Sequence, residues 1–286
     1  MAICSFSKLG VKTRSYDDKN LLPLPSDDVF HTEGFRQIAY SLEEAIAFHR
    51  ETHHPTMFNK SNALIEAAVE LDMRTKKKTK FVSEFSGILM FPHKFEIKTS
   101  RRIVAICKTL EQSDIAIQSG ASIAGGSDII RQIKSKKLTS TDFDHIVCHS
   151  DMLVELAEVR GVLRDHFPNK VKGNYGTDMQ TLVTKFMESL DYKCTRDDIE
   201  PEFGCVESPF GSLDMDTDKL RENLIYFLNK VESHQPKDAP SCFIRRVLLK
   251  SKPSLEQFRI RHWDLLDGYE DPTQIDESEM KSGQKG

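Results

Sequence analysis

The apolar positions change rhythm along the chain. Tyr40–Glu51 carries them at helical spacing, with Ser41 at the N-cap and Glu44 three residues on to form a capping box; His53-His54-Pro55 ends the helix. Two strand-length apolar runs follow, Leu64–Met73 and Gly87–Phe91, separated by the basic, hairpin-like stretch Arg74–Lys80. From Arg101 to Leu163 strands and helices alternate. Ile103–Cys107 reads as a strand, Gln112–Ser119 as a helix closed by Gly120, and Ser122–Ala124 as a short strand before Gly125-Gly126. A helix capped by Ser127 then carries Ile129, Ile130 and Ile133 on one face. The strand His145–Cys148 precedes a helix with Leu153, Leu156, Val159 and Leu163 at helical spacing. This alternation implies a small parallel sheet with right-handed crossovers.

After Pro168 the rhythm changes again. Asp178–Leu190 is an amphipathic helix, Tyr192 to about Phe210 is β-like, and a capped helix starts at Asp216 or Thr217 with Leu220, Leu224, Phe227, Leu228 and Val231 facing inward. Phe243–Leu249 reads as a buried strand. The pattern therefore predicts a split chain that mixes α/β and α+β. Residues 37–95 and 168–262 form a discontinuous α+β body, and residues 96–167 form an inserted α/β domain. Residues 1–36 are a presequence-like and linker segment, where Pro23 and Pro25 forbid helix; residues 263–286 are an acidic tail expected to be disordered.

Composition narrows the class. About 38% of residues are apolar and 29% charged, and the longest apolar runs are strand-sized, so no membrane span is expected. The first sixteen residues hold Lys8, Lys12, Arg14 and three serines with no acid before Asp17, which suits a mitochondrial presequence and equally an ordinary disordered start. Six scattered cysteines without a CxxC pair suit a reducing compartment. Gly125-Gly126-Ser127 stands where an α/β unit could bind a nucleotide, but it matches neither GxGxxG nor the P-loop, and two glycines there serve a tight turn. The histidines lack metal-ligand spacing, and Ser150-Asp151 reads as a helix cap rather than a nucleophile. Neither catalytic residues nor a cofactor are expected.

The net charge of −4 means that any contact with nucleic acid must come from local basic clusters. These are Lys76-Lys77-Lys78-Lys80, Arg101-Arg102, Lys134-Lys136-Lys137, Lys170 with Lys172, Arg245-Arg246 with Lys250 and Lys252, and Arg259 with Arg261. Each is by default a solvated face, yet the last three fall in the body, where folding could gather them on one side.

The order of motifs resembles the large-subunit ribosomal protein L-one family, the protein of the mobile stalk beside the ribosomal exit site. Ser119–Ile133 is similar to that family's AGAxxVGGxxLIxKI, Asp144–Leu163 to DxxIATPDMMPxVGKLGRIL, and Gly87–His93 to GTVVLPH. Leu213–Leu228 and Phe243–Leu249 resemble its last body helix and strand; the likeness covers about residues 58 to 260. It implies the two-domain family fold, a discontinuous α+β body with an inserted Rossmann-like three-layer α/β domain. The hinge of two crossings would lie near residues 93–97 and 165–170.

The family's RNA-contacting segments carry over in part. Its GPRGLMPNPKxG loop corresponds to Arg164–Gly173, keeping Asn169 and Gly173 and adding Lys170 and Lys172, but with Asp165 for the inner glycine. Its KFDET segment resembles Met57–Ser61, keeping Phe58 and a hydroxyl at Ser61. Its SSTMGP loop corresponds to Lys250, Ser251, Lys252, Pro253 and Ser254, without the Met-Gly-Pro. With Arg245, these are the candidate RNA-binding residues. The plain alternatives are that Phe58 packs at a hinge, that Ser251 and Ser254 close a turn, and that Lys170 and Lys172 are solvated. The resemblance implies a non-enzymatic constituent of the mitochondrial large subunit, in the matrix. It would bind stalk rRNA and, transiently, exit-site tRNA among other mitochondrial ribosomal components. A small-molecule or nucleotide-binding enzyme on the α/β insert and a protein-interaction module that keeps the fold are the rival readings.

Overall fold

The computed structural model describes residues 35, 37–76, 80–96, 101–139, 141–169, 173–197, 200–236, 243–266 and 268–269. The presequence-like start, the tail beyond residue 269, and Lys77, Lys78, Lys170 and Lys172 lie outside the described residues. A two-residue strand β1 (Ala39–Tyr40) leads to α1 (Leu42–Thr52), then β2 (Leu64–Asp72) and β3 (Ser86–Leu89). Next come β4 (Ile103–Ile106), α2 (Leu110–Gln118), β5 (Ile123–Gly125), α3 (Ser127–Lys134) and β6 (His145–His149). The short helices α4 (Leu153–Leu156) and α5 (Arg160–Leu163) precede β7 (Tyr175–Gly176) and α6 (Met179–Glu188). The order ends with β8 (Leu190–Arg196), β9 (Phe203–Ser212), α7 (Thr217–Glu232), β10 (Ile244–Lys250) and β11 (Gln257–Ile260).

The chain divides into two compact units, one comprising residues up to Ser86 and from Tyr192 onward, the other Gly87–Asp191. A seven-stranded sheet has the order β1-β11-β10-β2-β9-β8-β3. Its central strand β2 lies antiparallel between β10 and β9. In the first unit, α7 packs on β9 and α1 on β11. That packing buries Leu220, Leu224, Phe227 and Leu228 of α7 with Leu42, Ala45 and Ile46 of α1, each large side chain contributing about 1.5–3 kcal/mol. Gly211 allows α7 to approach β9 closely, because a Cβ there would come within 2.1 Å of Leu220 Cδ2. The polar Asn223 is buried in this helix, and its Nδ2 donates to the Phe210 carbonyl at 2.9 Å.

The second unit holds a four-stranded parallel sheet of order β5-β4-β6-β7. One face is covered by α3, α4 and α5 through Ile129, Ile130, Ile133, Leu156, Val159 and Leu163. The other face is covered through Ala116 of α2 and Met179, Val183 and Phe186 of α6. The fold is thus mixed α/β, with a three-layer parallel insert, as the alternation of strands and helices implied.

Several details differ from the sequence reading. Helix α6 belongs to the second unit rather than the body, because its apolar stripe joins Ile103, Ala105 and Val147 in one core. Both changes of unit fall within strands, β3 and β8, and not near residues 93–97 and 165–170. Order also reaches past residue 263: the His262 ring meets that of Trp263 at 5.2 Å and that of Tyr269 at 5.6 Å, and Leu266 is buried. The N-cap of α3 is Gly126, with Ser127 the first helical residue, and α2 begins at Leu110 with Thr109 and Gln112 forming a capping box. The single helix expected over 153–163 is broken by a tighter turn at Ala157–Val159.

Asp72, at the end of β2, is fully buried and takes two guanidiniums. Arg74 Nη2 donates to its Oδ2 at 2.7 Å, and Arg245 Nη2, brought round by a bulge between Ile244 and Arg246, does so at 2.6 Å. Burial pushes the Asp72 carboxyl up, but the hydrogen bonds from Arg74 and Arg245 outweigh it and hold the group below 3.8. Its stabilisation is therefore complete above that value and is lost as pH falls through the lowered one. Asp72→Asn should lower the unfolding free energy by about 3–5 kcal/mol at neutral pH, with the gap narrowing in acid as pH falls below 3.8. Urea denaturation at the two pH values checks this, and a gap that is undiminished in acid contradicts it.

Candidate nucleic-acid interface

The candidate residues of the first unit are brought together by one histidine. Helix α1 turns Leu42, Ala45, Ile46 and His49 inward, and His49 Nε2 meets the Leu249 carbonyl at 3.2 Å. Burial holds the His49 pKa below 6.5, so the ring is neutral at physiological pH. One turn on, the buried His53 donates from Nδ1 to the His49 carbonyl at 2.8 Å. Its Nε2 then faces Ser251 Oγ at 3.3 Å. The loop after α1 is tied back by its own backbone: Met57 and Asn59 N–H donate to the His54 carbonyl, and Lys60 N–H to that of His53. Asn59 has φ +50, a left-handed conformation that its short polar side chain tolerates.

This holds Phe58 with its ring 5.8 Å from that of His53 and 42% exposed, beside the exposed Met57, Lys60 and Ser61. From the β10–β11 loop, Leu255 is 94% exposed and Lys252 projects outward. Ser251 is wholly buried, and its hydroxyl donates to the Leu64 carbonyl at 3.0 Å, so it joins the two loops and does not reach solvent. Ser254 is buried too, and its Oγ accepts from Glu256 N–H at 3.2 Å. The turn-closing role therefore describes both serines.

The predicted cations are largely counter-charged. Arg245 is committed to the buried Asp72, Lys250 Nζ sits 2.7 Å from Glu207, and Lys252 Nζ 3.2 Å from Glu66. The Lys252 side chain is 80% exposed, and such a pair contributes about 0–1 kcal/mol, less than the ~1.5–3 kcal/mol of a hydrogen bond to a charged group. A phosphate could displace Glu66 from Lys252, whereas Arg245 is unavailable. Lys60 has no side-chain partner among the described residues. The sequence does not single it out within Met57–Ser61, because only the fold shows which lysines lack a neighbouring acid.

Asn169 and Gly173 belong to the second unit. Gly173 N–H donates to the Asn169 carbonyl at 3.0 Å. Gly173 has φ +66, and nothing lies within 4 Å of where a Cβ would be, so it is the backbone conformation that favours glycine. Elsewhere in that unit, Ser127 Oγ at the Gly125-Gly126 turn donates to Glu155 at 2.9 Å, which sets a carboxylate where a nucleotide phosphate would bind. Burial pushes the Cys107 thiol up and that of Cys148 up to about 12, neither suited to nucleophilic attack.

Fold and interface together define a scaffold that presents loops, built on a sheet interrupted by a parallel α/β insert. The chain belongs to the Ribosomal protein L1p/L10e family, whose model matches residues 49–255. It is similar to "Large ribosomal subunit protein uL1m" of Mus musculus, 25% identical over 230 residues, which are 80% of this chain and 65% of the mouse protein. The Bos taurus protein of the same name is 24% identical over 231 residues, 80% of this chain and 67% of that one. "Large ribosomal subunit protein uL1" of Streptococcus gordonii is 28% identical over 214 residues, 74% of this chain and 85% of that one. The chain thus spans just under two thirds of the mouse relative. The family is one of ribosomal proteins.

Ser251→Ala should cost about 1–2 kcal/mol, since it leaves the Leu64 carbonyl without its donor, whereas Lys60→Ala should leave stability within about 0.5 kcal/mol. Thermal melting of both variants checks this; equal losses would refute the division between an internal tether and a surface cation.

Proposed function

We propose that this chain is a constituent of the large subunit of the mitochondrial ribosome. It binds the rRNA of the mobile exit-site stalk and supports release of deacylated tRNA. The observation that carries the reading is the junction at His53: the two first-unit loops aligned with the family's RNA-contacting segments meet there, with Phe58 and Lys60 directed to solvent. The two mammalian relatives bear a mitochondrial name, which supports action in the mitochondrial matrix with the presequence-like start as its address. Phe58 offers a face for stacking on an unpaired base, and Lys60 and Lys252 offer phosphate contacts. Its partners are then large-subunit rRNA, other mitochondrial ribosomal components and, transiently, exit-site tRNA, with no cofactor.

The counter-charged β10 cations favour a second reading, a module that docks on protein. Gradient fractionation of the tagged chain from mitochondrial lysate, with and without RNase, separates the two. Co-migration with large subunits that RNase abolishes supports rRNA binding, and co-migration that resists RNase supports protein docking. Phe58→Ala should weaken binding to a stalk rRNA fragment about tenfold, as expected for loss of one stacked base, and an unchanged affinity would remove Phe58 from the interface.

A further inference from the structure

We propose that the second unit carries an RNA-phosphate-binding strip of its own, formed by Lys136, Lys137, Arg160 and Arg164. It rests on the ribosomal reading above and extends it to Lys136, Lys137 and Arg160, which lie outside the RNA-contacting segments that the resemblance carries over; of the four, Arg164 alone falls in one, as the first residue of Arg164–Gly173. Helix α3, the turn after it and α4–α5 cover the same face of the parallel sheet, since Ile133, Leu138, Val159 and Leu163 share one core with Val104 and Ile146. Both helical segments follow a strand of that sheet and run back along it, so they finish at the same end of the layer. An ion pair joins them there, Lys134 Nζ to Glu158 at 2.8 Å.

Around that pair the charges divide unevenly. Three carboxylates are engaged: Asp142 accepts from Thr139 N–H and Oγ1 at 2.8 Å each, Asp144 from Arg102 N–H at 2.9 Å, and Glu158 from Lys134. Lys136, Lys137, Arg160 and Arg164 are exposed, and none has an acidic partner among the described residues. Lysines just past α3 also suit the negative end of that helix, an effect confined to its last turn, which does not account for the arginines.

The Arg160 guanidinium lies 5.4 Å from the centre of the Phe167 ring, and Phe167 N–H donates to the Arg164 carbonyl at 3.2 Å, so a tight turn that includes Arg164 brings the ring against Arg160. A guanidinium on an aromatic face is held in plane with its N–H edge free, the arrangement that grips a phosphate by two hydrogen bonds. Two planar forks beside two lysines suit successive phosphates of an RNA backbone better than the scattered carboxylates of an acidic protein.

The test is the salt dependence of binding, by fluorescence anisotropy, of the full chain to a labelled large-subunit stalk rRNA fragment between about 50 and 200 mM salt. A fourfold variant carries Lys136→Asn, Lys137→Gln, Arg160→Gln and Arg164→Gly; Asn and Gly are chosen because residues 136 and 164 have positive φ. It should melt within a few degrees of the wild type and flatten the log–log salt slope by about 2–4, roughly 0.7–0.9 for each phosphate the strip no longer neutralises. Arg160→Lys should keep the slope, and Phe58→Ala should weaken binding while leaving it unchanged. A folded fourfold variant with the wild-type slope overturns the strip and leaves the ribosomal reading intact. Absence of RNA binding by the wild type overturns both. Competition by polyglutamate equal to that by RNA would assign the strip to an acidic protein and overturn it as an RNA site.

Discussion

Strand β10 places its basic side chains across from acidic ones, and this cross-strand pairing governs what the first unit can do. Arg246 lies opposite Glu70 in register and bonds it at 2.7 Å, Lys250 reaches Glu207, and Lys252 beyond the strand reaches Glu66. Opposed charges on neighbouring strands, and the longer reach of Lys250 over β2 to β9, stabilise the sheet modestly and engage its cations. A chain with net charge −4 can thus fold with a quiet sheet surface and confine any attraction for polyanions to loops.

That confinement relates the two units functionally. In the first, a buried histidine and a buried serine join two loops, leaving an aromatic ring and a lysine on the outside. In the second, Asp142, Asp144 and Glu158 are satisfied by local backbone and lysine partners, while Arg160 and Arg164 have no acidic partner among the described residues. Internal tethers beneath and exposed cations above is an economical arrangement, because ordering a long basic side chain costs rotamer freedom that a ligand must offset.

Much of the fold was legible in the sequence. The Ser41–Glu44 capping box, the Ile129, Ile130 and Ile133 stripe of α3 and the apolar face of α7 are local patterns, and each specified its helix. What local pattern could not show was membership. The amphipathic stripe of α6 is the same whichever unit it packs on, and strands of two to four residues such as β1, β7 and β11 are too short to carry a period. The candidate interface was half legible. Phe58 and Ser61 stood out by motif, but Lys250 finds its acid 43 positions away and Lys252 186 positions away, through a register that no window of sequence contains.

The first unit closes on itself where the insert begins and ends. Cys194 N–H donates to the Phe85 carbonyl at 2.8 Å, so the outgoing and returning strands are hydrogen-bonded neighbours one residue from the exit and two from the return. An insertion whose two ends sit side by side is topologically a hairpin loop grown large. A tight turn linking Ser86 to Tyr192 would bridge the same gap without crossing the sheet, so the architecture is open to gain or loss of the whole α/β unit in a single step of gene rearrangement.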